Sequence, residues 1–337
     1  MPFDDYWYVV AESRELTPVR PLTRRVLDEW LVCFRGEDGA PTVLRDRCLH
    51  RNAPLSAGIV RAGLLSCPYH GWCYDGAGRV VAIPSLNGRD LPAHCSLPYP
   101  VTEQDGFVYV RVKRDAVAGI MPFPMPHYGE PGWRTLRLQN RFANSVANCV
   151  ENFIDIPHTA FVHRGLFRST RGERLAATVR RANGAVQVSY RNERDNLGRY
   201  RWFLNPQGHE ICHRDSFHVP NVTCVVYEIG ARVFIITSQA VPVDDRETLV
   251  YTDLTYRFGG WNVLVAPFVR RHGQRIIDQD IEILARQGEN IGRYGAQFRD
   301  TQADLIHRLV DSLRDAIARG DDPCGLPTVE HEIEFRV

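Results

Sequence analysis

The sequence lacks several features that would assign it to a class of proteins at once. Its 41 basic and 40 acidic residues give a formal net charge of +1, so we expect binding neither to nucleic acid nor to an anionic membrane surface. No run of apolar residues approaches the roughly 18 that a membrane-spanning helix needs. The start of the chain, Met1–Asp5, lacks the basic and then apolar pattern of a secretory signal, and this predicts a cytoplasmic protein.

The composition is that of a folded protein whose cysteines are thiols or metal ligands. Hydrophobic residues make up 44% of the 337 positions and charged residues 24%, which excludes wholesale disorder. A chain of this length usually forms more than one domain. The nine cysteines are an odd number in a chain without a secretory signal, so we do not expect a framework of disulfides.

The first part of the chain has the pattern of a small all-β domain. Strand-like runs such as 29–34 and 106–112 alternate with turns, and no helical signal in this part exceeds two turns. Three prolines at alternate positions in 121–126 then favour an extended connector. We therefore predict an N-terminal domain of residues 1–115 and a second domain of residues 116–337.

The second part combines helical and strand-like patterns. Helical spacing over 144–161 and 268–318 brackets strand-like runs between 175 and 260, of which 248–251 is the last. Strands bracketed by helices predict an antiparallel sheet covered by helices. The whole chain is thus expected to be an α+β protein with an all-β domain at its N terminus.

Two cysteines and two histidines form the strongest motif in the sequence. Cys48 and His50 are separated by one residue, and Cys67 and His70, further along, are separated by two. Two thiolates and two imidazoles suit either a tetrahedral zinc ion or a [2Fe–2S] cluster with two cysteines on one iron and two histidines on the other. Each half of the motif supplies one cysteine and one histidine, and this mixed pairing favours the cluster over zinc.

These four residues lie in segments, 47–51 and 67–72, that resemble the two loops of the Rieske ferredoxin domain. The resemblance implies that all four bind a Rieske-type [2Fe–2S] cluster. Neutral histidines in place of two thiolates raise the reduction potential, so the cluster would be a one-electron carrier. A zinc-structured binding module is the alternative, and the colour of the purified protein would distinguish the two.

A second pair of histidines lies at the end of a helical pattern. His158 and His163 are five residues apart, so on a regular helix their side chains would point about 140° apart. They can converge if the helix breaks or bulges, for which Pro157 is a plausible cause. Taken alone, the pair is equally compatible with two satisfied histidines of a core.

Together with the first motif, this pair resembles the large subunit of Rieske non-haem iron oxygenases, whose second domain has a helix-grip fold. The family's Asp-x-x-His-x4-His motif implies that His158 and His163 bind a mononuclear iron. Its Asp, here Asp155, would link the iron site to a cluster histidine of a neighbouring subunit, and Asn152 would lie near the iron. We take Asp155 and Asn152 as candidate catalytic residues. The spacing from Asn152 to His158 is closest to that of homotrimeric monooxygenases and demethylases.

A carboxylate on an apolar helical stripe completes the expected iron site. A helical wheel of 275–284 groups the isoleucines and the leucine, and Asp280 lies within this group, whereas Asp278 and Glu282 point away. A carboxylate on a buried face is costly unless it is paired or bound to a metal. The family's run of an acidic residue, Gln and Asp matches 278–280 and implies Asp280 as the third iron ligand. A buried ion pair is the alternative.

By this resemblance, we expect the terminal oxygenase of a multi-component system. A reductase, with or without a ferredoxin, would pass electrons from NAD(P)H to the cluster, and they would cross a subunit boundary through Asp155 to Fe(II). A homotrimer is the implied assembly, with O2 as co-substrate and hydroxylation or oxidative demethylation of a small aromatic or heterocyclic molecule as the reaction. A ring cis-dihydroxylating dioxygenase, or an electron-transfer Rieske protein with a non-catalytic second site, are the alternatives.

A third group of titratable residues lies between positions 209 and 218. His209, His213 and His218 stand there beside Glu210 and Asp215. The residues of this stretch follow neither the helical nor the strand periodicity convincingly, so we expect a solvated loop rather than a metal site. A role in lining the substrate pocket is the alternative.

Overall fold

We describe the protein from a computed structural model, which defines residues 2–86, 90–115, 120–163, 174–191, 205 and 207–336. Contacts within the chain divide it into two compact units, Asp4–Pro124 and Met125–Val337, the latter together with Met1–Phe3. Among the described residues, no helix is both long and apolar enough to span a membrane.

The N-terminal unit is built from three small antiparallel sheets. Their strand orders are β1-β10-β9, β2-β3-β4 and β5-β6-β7-β8. Strands β3, β4 and β10 are the most deeply buried, as their β-branched and aromatic residues predict. The strands are β1 (Trp7–Glu12), β2 (Leu22–Val26), β3 (Glu29–Arg35), β4 (Pro41–Arg45), β5 (Ile59–Arg61), β6 (Leu64–Ser66), β7 (Cys73–Tyr74), β8 (Val80–Ala82), β9 (Val101–Gln104) and β10 (Phe107–Arg111).

The proline-rich connector is bonded to this first unit. The indole Nε1 of Trp7 donates a hydrogen bond of 2.8 Å to the carbonyl oxygen of Ile120. The side-chain amide of Gln104 lies 3.5 Å from the carbonyl oxygens of both Pro122 and Phe123. These bonds explain why the first compact unit extends to Pro124, beyond the limit of residue 115 expected from the sequence. The domain limits 1–115 and 116–337 stay a prediction.

The C-terminal unit contains one eight-stranded antiparallel sheet. Its order is β11-β17-β16-β15-β14-β13-β12-β18, so the last strand of the chain pairs at the edge with β12. The strands are β11 (Arg134–Phe142), β12 (Arg174–Ala182), β13 (Ala185–Arg191), β14 (Ile211–His218), β15 (Val222–Ile229), β16 (Arg232–Pro242), β17 (Thr248–Arg257) and β18 (Val329–Arg336).

Helices pack against this sheet. The long helix α3 contacts β11 and β17, α1 contacts β15 and β16, and α4 contacts β13. The sequence-based fold class, α+β with an all-β unit first and an antiparallel sheet with helices second, is confirmed. The described helices are α1 (Val146–Ile154), α2 (Thr159–Val162), α3 (Asn262–Tyr294) and α4 (Leu305–Arg319).

The structure corrects two details of the sequence pattern. The helical run expected over 268–318 consists of two helices, because α3 ends before Gly295, whose φ is +76°. A further strand, β18, follows them, so 248–251 is not the last strand. The alternation of apolar residues with glutamates in β18 is a strand signal that the sequence contains.

Candidate metal centres and substrate cavity

Two tight loops position the cysteines of the first motif. The backbone N–H of Cys48 donates to the carbonyl oxygen of Ala53 at 2.8 Å, and that of Cys67 donates to Trp72 at 2.9 Å. Gly71 has a φ of +74°, which closes the second loop in a conformation that favours glycine. Both thiols are buried as a result.

The two histidines of this motif lie beside one another, further out than the thiols. Their ring centroids are 4.6 Å apart, and His70 is exposed to solvent. The ring of His50 stacks on Trp72 with centroids 4.9 Å apart. Its Nδ1 atom is buried and has no hydrogen-bond partner. Two buried sulfurs and an imidazole nitrogen without a partner fit a mixed thiolate and imidazole metal site.

A tyrosine that the sequence reasoning missed also contacts this site. The hydroxyl oxygen of Tyr74 accepts the N–H of Leu49 at 2.9 Å and lies 3.3 Å from the sulfur of Cys48. The bond from Leu49 uses only a lone pair of this oxygen, so the hydroxyl can still donate its hydrogen to a Cys48 thiolate. Burial raises the pKa of Cys67 and of Tyr74, so an uncharged tyrosine donor is the stable form. Its position directly after Cys73 in β7 gave no signal of this contact.

The second motif lies where a helix is interrupted. Helix α1 ends at Ile154, Asp155 takes an extended conformation with ψ of 121°, and α2 begins only at Thr159. His158 and His163 flank this second, short helix. The interruption removes the divergence expected of a regular helix, and the two rings lie with centroids 5.2 Å apart.

Both histidines present the same ring nitrogen, Nε2, to Asp280. The Nε2 of His158 lies 3.6 Å and that of His163 3.3 Å from Oδ1 of Asp280. One ligand atom from each of the three residues lies within 4.8 Å of the other two, as in a metal site. Asp280 is buried on α3, and its Oδ1 has no hydrogen-bond partner. Asp278 instead bonds to Gln274, on the same helix, at 2.9 Å.

The outer nitrogen of each ring is held by an oxygen. Nδ1 of His158 lies 3.2 Å from Oδ2 of Asp155, and Nδ1 of His163 lies 3.0 Å from Oε1 of Gln279. These oxygens can only accept, so each Nδ1 carries the proton and each Nε2 offers its lone pair to the centre. Gln279 was not identified as a site residue from the sequence, since its role depends on where the fold places His163.

The charges of the site are tightly coupled. Burial disfavours a charged His158, but its contacts with Asp155 and Asp280 outweigh burial and raise its pKa to about 9. Burial likewise disfavours the charged form of Asp280, yet the two histidines hold its pKa below the usual value. A metal cation bound by the same atoms would replace the second proton of His158, the one on Nε2, and leave the proton on Nδ1 in place. The donor set of two imidazoles and one carboxylate therefore fits a mononuclear non-haem iron.

The remaining candidates of this motif lie next to the three metal-ligand candidates. Asn152 lines the adjacent cavity, and its side-chain oxygen is buried without a hydrogen-bond partner. Asp155 also accepts the backbone N–H of His158 at 2.9 Å, so one carboxylate oxygen fixes both the backbone and the ring of that histidine.

A largely apolar cavity of about 270 Å³ opens beside the three convergent residues. It lies between the sheet and α3, and its walls come from α1, β11, β14, β15, β16, β17 and α3. A cavity of this size suits a small molecule. Its apolar and aromatic lining residues include Phe142, Phe153, Val225, Tyr227, Ile229, Phe234, Ile236, Leu254, Phe258, Phe268, Ile276 and Ile277.

The region from 209 to 218 differs from the expected solvated loop. Residues 211–218 form β14, and His213 and Asp215 lie buried on the face that lines the cavity. Nε2 of His213 lies 2.9 Å from Asp215, whose other oxygen accepts the hydroxyl of Tyr190 at 2.9 Å. The His213 ring is stacked between Tyr190 and Tyr227, its neighbours across the sheet. The pocket-lining alternative is thus the one that the structure shows.

Two family models match this chain, one in each of its two parts. Residues 6–98 match the Rieske [2Fe-2S] domain family, and residues 143–311, just over half of the chain, match the vanillate O-demethylase oxygenase C-terminal domain family. Dicamba O-demethylase, oxygenase component, of Stenotrophomonas maltophilia is 36% identical over 186 residues, which are 54% of this chain and 54% of that protein. The chain thus spans about half the length of the curated relatives it matches.

Solved structures share the whole fold. A structure of NdmA from Pseudomonas putida covers 97% of this chain and 96% of its own, with a TM-score of 0.79 and 20% identity. Dicamba monooxygenase bound to 3,6-dichlorosalicylic acid covers 94% and 98%, with a TM-score of 0.81 and 22% identity. At these identities the likeness establishes the fold.

Proposed function

The chain belongs to the Rieske non-haem iron oxygenases whose catalytic domain is of the vanillate O-demethylase type, and on that basis we propose that it is the terminal oxygenase of a multi-component system. The reaction is hydroxylation or oxidative demethylation of a small aromatic or heterocyclic molecule. For a methyl ether, substrate, O2, two electrons and two protons give the phenol, formaldehyde and water. The electrons come from NAD(P)H through a reductase, with or without a ferredoxin.

One observation supports this proposal most strongly. His158, His163 and Asp280 converge within 4.8 Å and line a cavity for a small molecule. Iron bound there would supply the oxygen chemistry, while Cys48, His50, Cys67 and His70 would hold the [2Fe–2S] cluster that delivers electrons. A protein that only transfers electrons has no need for an apolar cavity beside its second metal site.

The residues of the chain perform binding, orientation and the exclusion of water. The aromatic and aliphatic walls favour a planar apolar substrate and leave few polar groups that hold water in the cavity. The buried pair of His213 and Asp215 is a polar point in this wall and would orient a hydrogen-bonding group of the substrate. Asp155 fixes the tautomer of His158, so that Nε2 remains available as a ligand.

The assembly we propose is a homotrimer in which the cluster of one subunit serves the iron site of the next through Asp155. The family resemblance is the support for this arrangement. The position of Asp155, directly on the ring of His158, is compatible with that role.

Isotope labelling tests the proposed reaction. The purified protein, its reductase and NADH are mixed with 18O2 and a panel of methoxybenzoates, N-methylated heterocycles and unsubstituted arenes. We expect one 18O atom in a phenol, or formaldehyde released in equal amount to the demethylated product, and neither from the His163→Ala variant. A cis-diol with two 18O atoms would show a dioxygenase instead. Oxygen consumption no faster than that of His163→Ala with the entire panel would contradict the proposal.

A further inference from the structure

A histidine outside both motifs contacts the carboxylate that holds His158. One oxygen of Asp155 is engaged with His158, and the other, Oδ1, lies 3.7 Å from Nε2 of His307. The opposite ring nitrogen of His307, Nδ1, lies 3.2 Å from a carboxylate oxygen of Glu151. Glu151, His307, Asp155 and His158 therefore form a continuous row of alternating carboxylates and imidazoles, which runs from a partly exposed glutamate to a half-buried candidate iron ligand.

The fold explains why these groups meet. Glu151 and Asp155 are four residues apart at the end of α1 and lie on the same side of it. His307 lies in the first turn of α4, which packs against α1. Two carboxylates at this spacing repel one another, and an imidazole that contacts both offsets the repulsion when it carries a proton.

The charges around His307 favour that protonated form. Burial opposes a charge on the ring, but Glu151, Asp155 and Asp304 outweigh burial and raise the pKa of His307. Asp304 precedes α4, and its carboxylate lies 4.0 Å from Nδ1. Asp311, one turn further along α4, is a further carboxylate that interacts with this ring. The imidazole is thus a cation held within a group of carboxylates.

We propose that His307 is a positioning residue of the iron site: by bridging Glu151 and Asp155 it holds the Asp155 carboxylate in the orientation that receives the ring N–H of His158. Without this bridge, Asp155 turns toward solvent to escape Glu151, and the outer hydrogen bond of His158 is lost. His158 then binds the metal more weakly, because the tautomer with a free Nε2 is no longer enforced. The proposal rests on the proposed function only in taking His158, His163 and Asp280 as the metal ligands.

Cobalt binding tests this assignment without substrate, reductase or oxygen. Protein that contains its cluster but has been depleted of mononuclear metal is titrated with Co(II), and the visible ligand-field bands report occupancy and geometry. We expect His307→Leu to weaken Co(II) binding by about tenfold, the lower end for loss of a partner that orients a ligand. His307→Gln should recover most of this affinity, because its amide N–H can still donate to Asp155. His331→Leu, an exposed histidine on β18, is the matched control and should bind Co(II) as the wild type does.

Two outcomes would overturn the proposal. One is wild-type Co(II) affinity and bands in His307→Leu, and the other is equal loss in His307→Leu and His307→Gln. Glu151→Gln, a substitution of equal size at a partly exposed position, provides the measurement if His307→Leu fails to fold; a Co(II) affinity unchanged from the wild type would then refute the bridge. If Co(II) binds to the wild type but its affinity is unchanged in His158→Ala, the assignment of the metal ligands fails instead, so the two failures are distinguishable.

Discussion

The two histidines of the candidate iron site are not chemically equivalent, because different groups hold their outer nitrogens. His158 donates to the carboxylate of Asp155, whereas His163 donates to the amide oxygen of Gln279. A carboxylate partner increases the electron density of an imidazole more than an amide does, since it carries a full negative charge. His158 is therefore expected to be the stronger ligand and the one that senses changes at Asp155.

Replacing the aspartates of α3 one at a time tests the assignment of the third ligand. We expect Asp280→Ala to lose nearly all mononuclear iron and oxygenation, because it removes the carboxylate that faces both histidines. Asp278→Ala is the matched control; its carboxylate bonds to Gln274 on the same helix, and iron content should stay at the wild-type level. Iron and acid-labile sulfide per chain are measured together, so that cluster iron is subtracted. Iron loss in Asp278→Ala with normal iron in Asp280→Ala would contradict the assignment.

Among single residues, the sequence predicts those whose role follows from the spacing of nearby residues, and not those whose role depends on contacts between distant elements. Asp280 was identifiable because a lone carboxylate on an apolar helical stripe is costly without a partner. Gln279 and His307 were not, because their roles come from contacts with α2 and α1 that sequence spacing does not encode. The polar pair of His213 and Asp215 was misjudged for the same reason, since only the sheet places Tyr190 and Tyr227 on either side of the imidazole.

At the scale of elements, the candidate iron site depends on α1 ending at Ile154, before His158. Ser145 caps α1 by accepting the N–H of Asn148, and the helix continues only to Ile154. The proline at 157 disfavours helical conformation in the residue before it and lacks an N–H to donate, so the chain restarts as the short α2. The sequence indicated a break or bulge here. The interruption of the helix is what brings His158 and His163 together.

The close approach of α3 to the start of α1 gives a prediction about one glycine. A Cβ on Gly288 would lie 2.5 Å from the carbonyl oxygen of Ala143, which directly precedes Asn144. We expect Gly288→Ala to lower the free energy of unfolding by about 1–3 kcal/mol, because α3 must shift away. The shift would also move Asp280, two turns earlier on α3, and reduce mononuclear iron content.

The matched control for this change is Gly292→Ala, one turn further along the same helix, where a Cβ would meet no atom within 4 Å. This substitution should raise the free energy of unfolding by about 0.5–1 kcal/mol through the higher helix propensity of alanine. Scanning calorimetry together with metal analysis measures both effects. Equal stability changes in the two variants would show that the contact with Ala143 is unimportant.

The element boundaries show where sequence patterns stop being informative. Alternation and helical periodicity predicted the all-β first unit and the antiparallel sheet with helices of the second, but neither β14, which was expected to be a solvated loop, nor β18. They failed between α3 and α4, two amphipathic helices that pack on the same core and are separated by the exposed segment 295–303. Periodicity describes which face of a helix is buried, and both helices bury an apolar face on this core.

At the scale of the whole molecule, the candidate cluster residues and the candidate iron residues belong to different compact units. Cys48, His50, Cys67 and His70 lie in Asp4–Pro124, and the three convergent candidate ligands lie in the C-terminal unit. In the proposed oxygenase, turnover depends on the transfer of electrons between these two centres. Asp155 is the group we propose for this transfer, since it contacts the ring of His158 and is partly accessible at the surface of its unit.

The most direct test is the rate at which the reduced cluster is reoxidised in a single turnover. Wild-type protein and the Asp155→Asn variant are reduced anaerobically, mixed rapidly with oxygen and a substrate from the labelling panel, and followed by the visible absorbance of the cluster. We expect Asp155→Asn to retain iron, sulfide and substrate binding, while its cluster is reoxidised about 100-fold more slowly. Reoxidation of the Asp155→Asn cluster at the wild-type rate, with both metals present, would show that Asp155 does not carry the electron transfer.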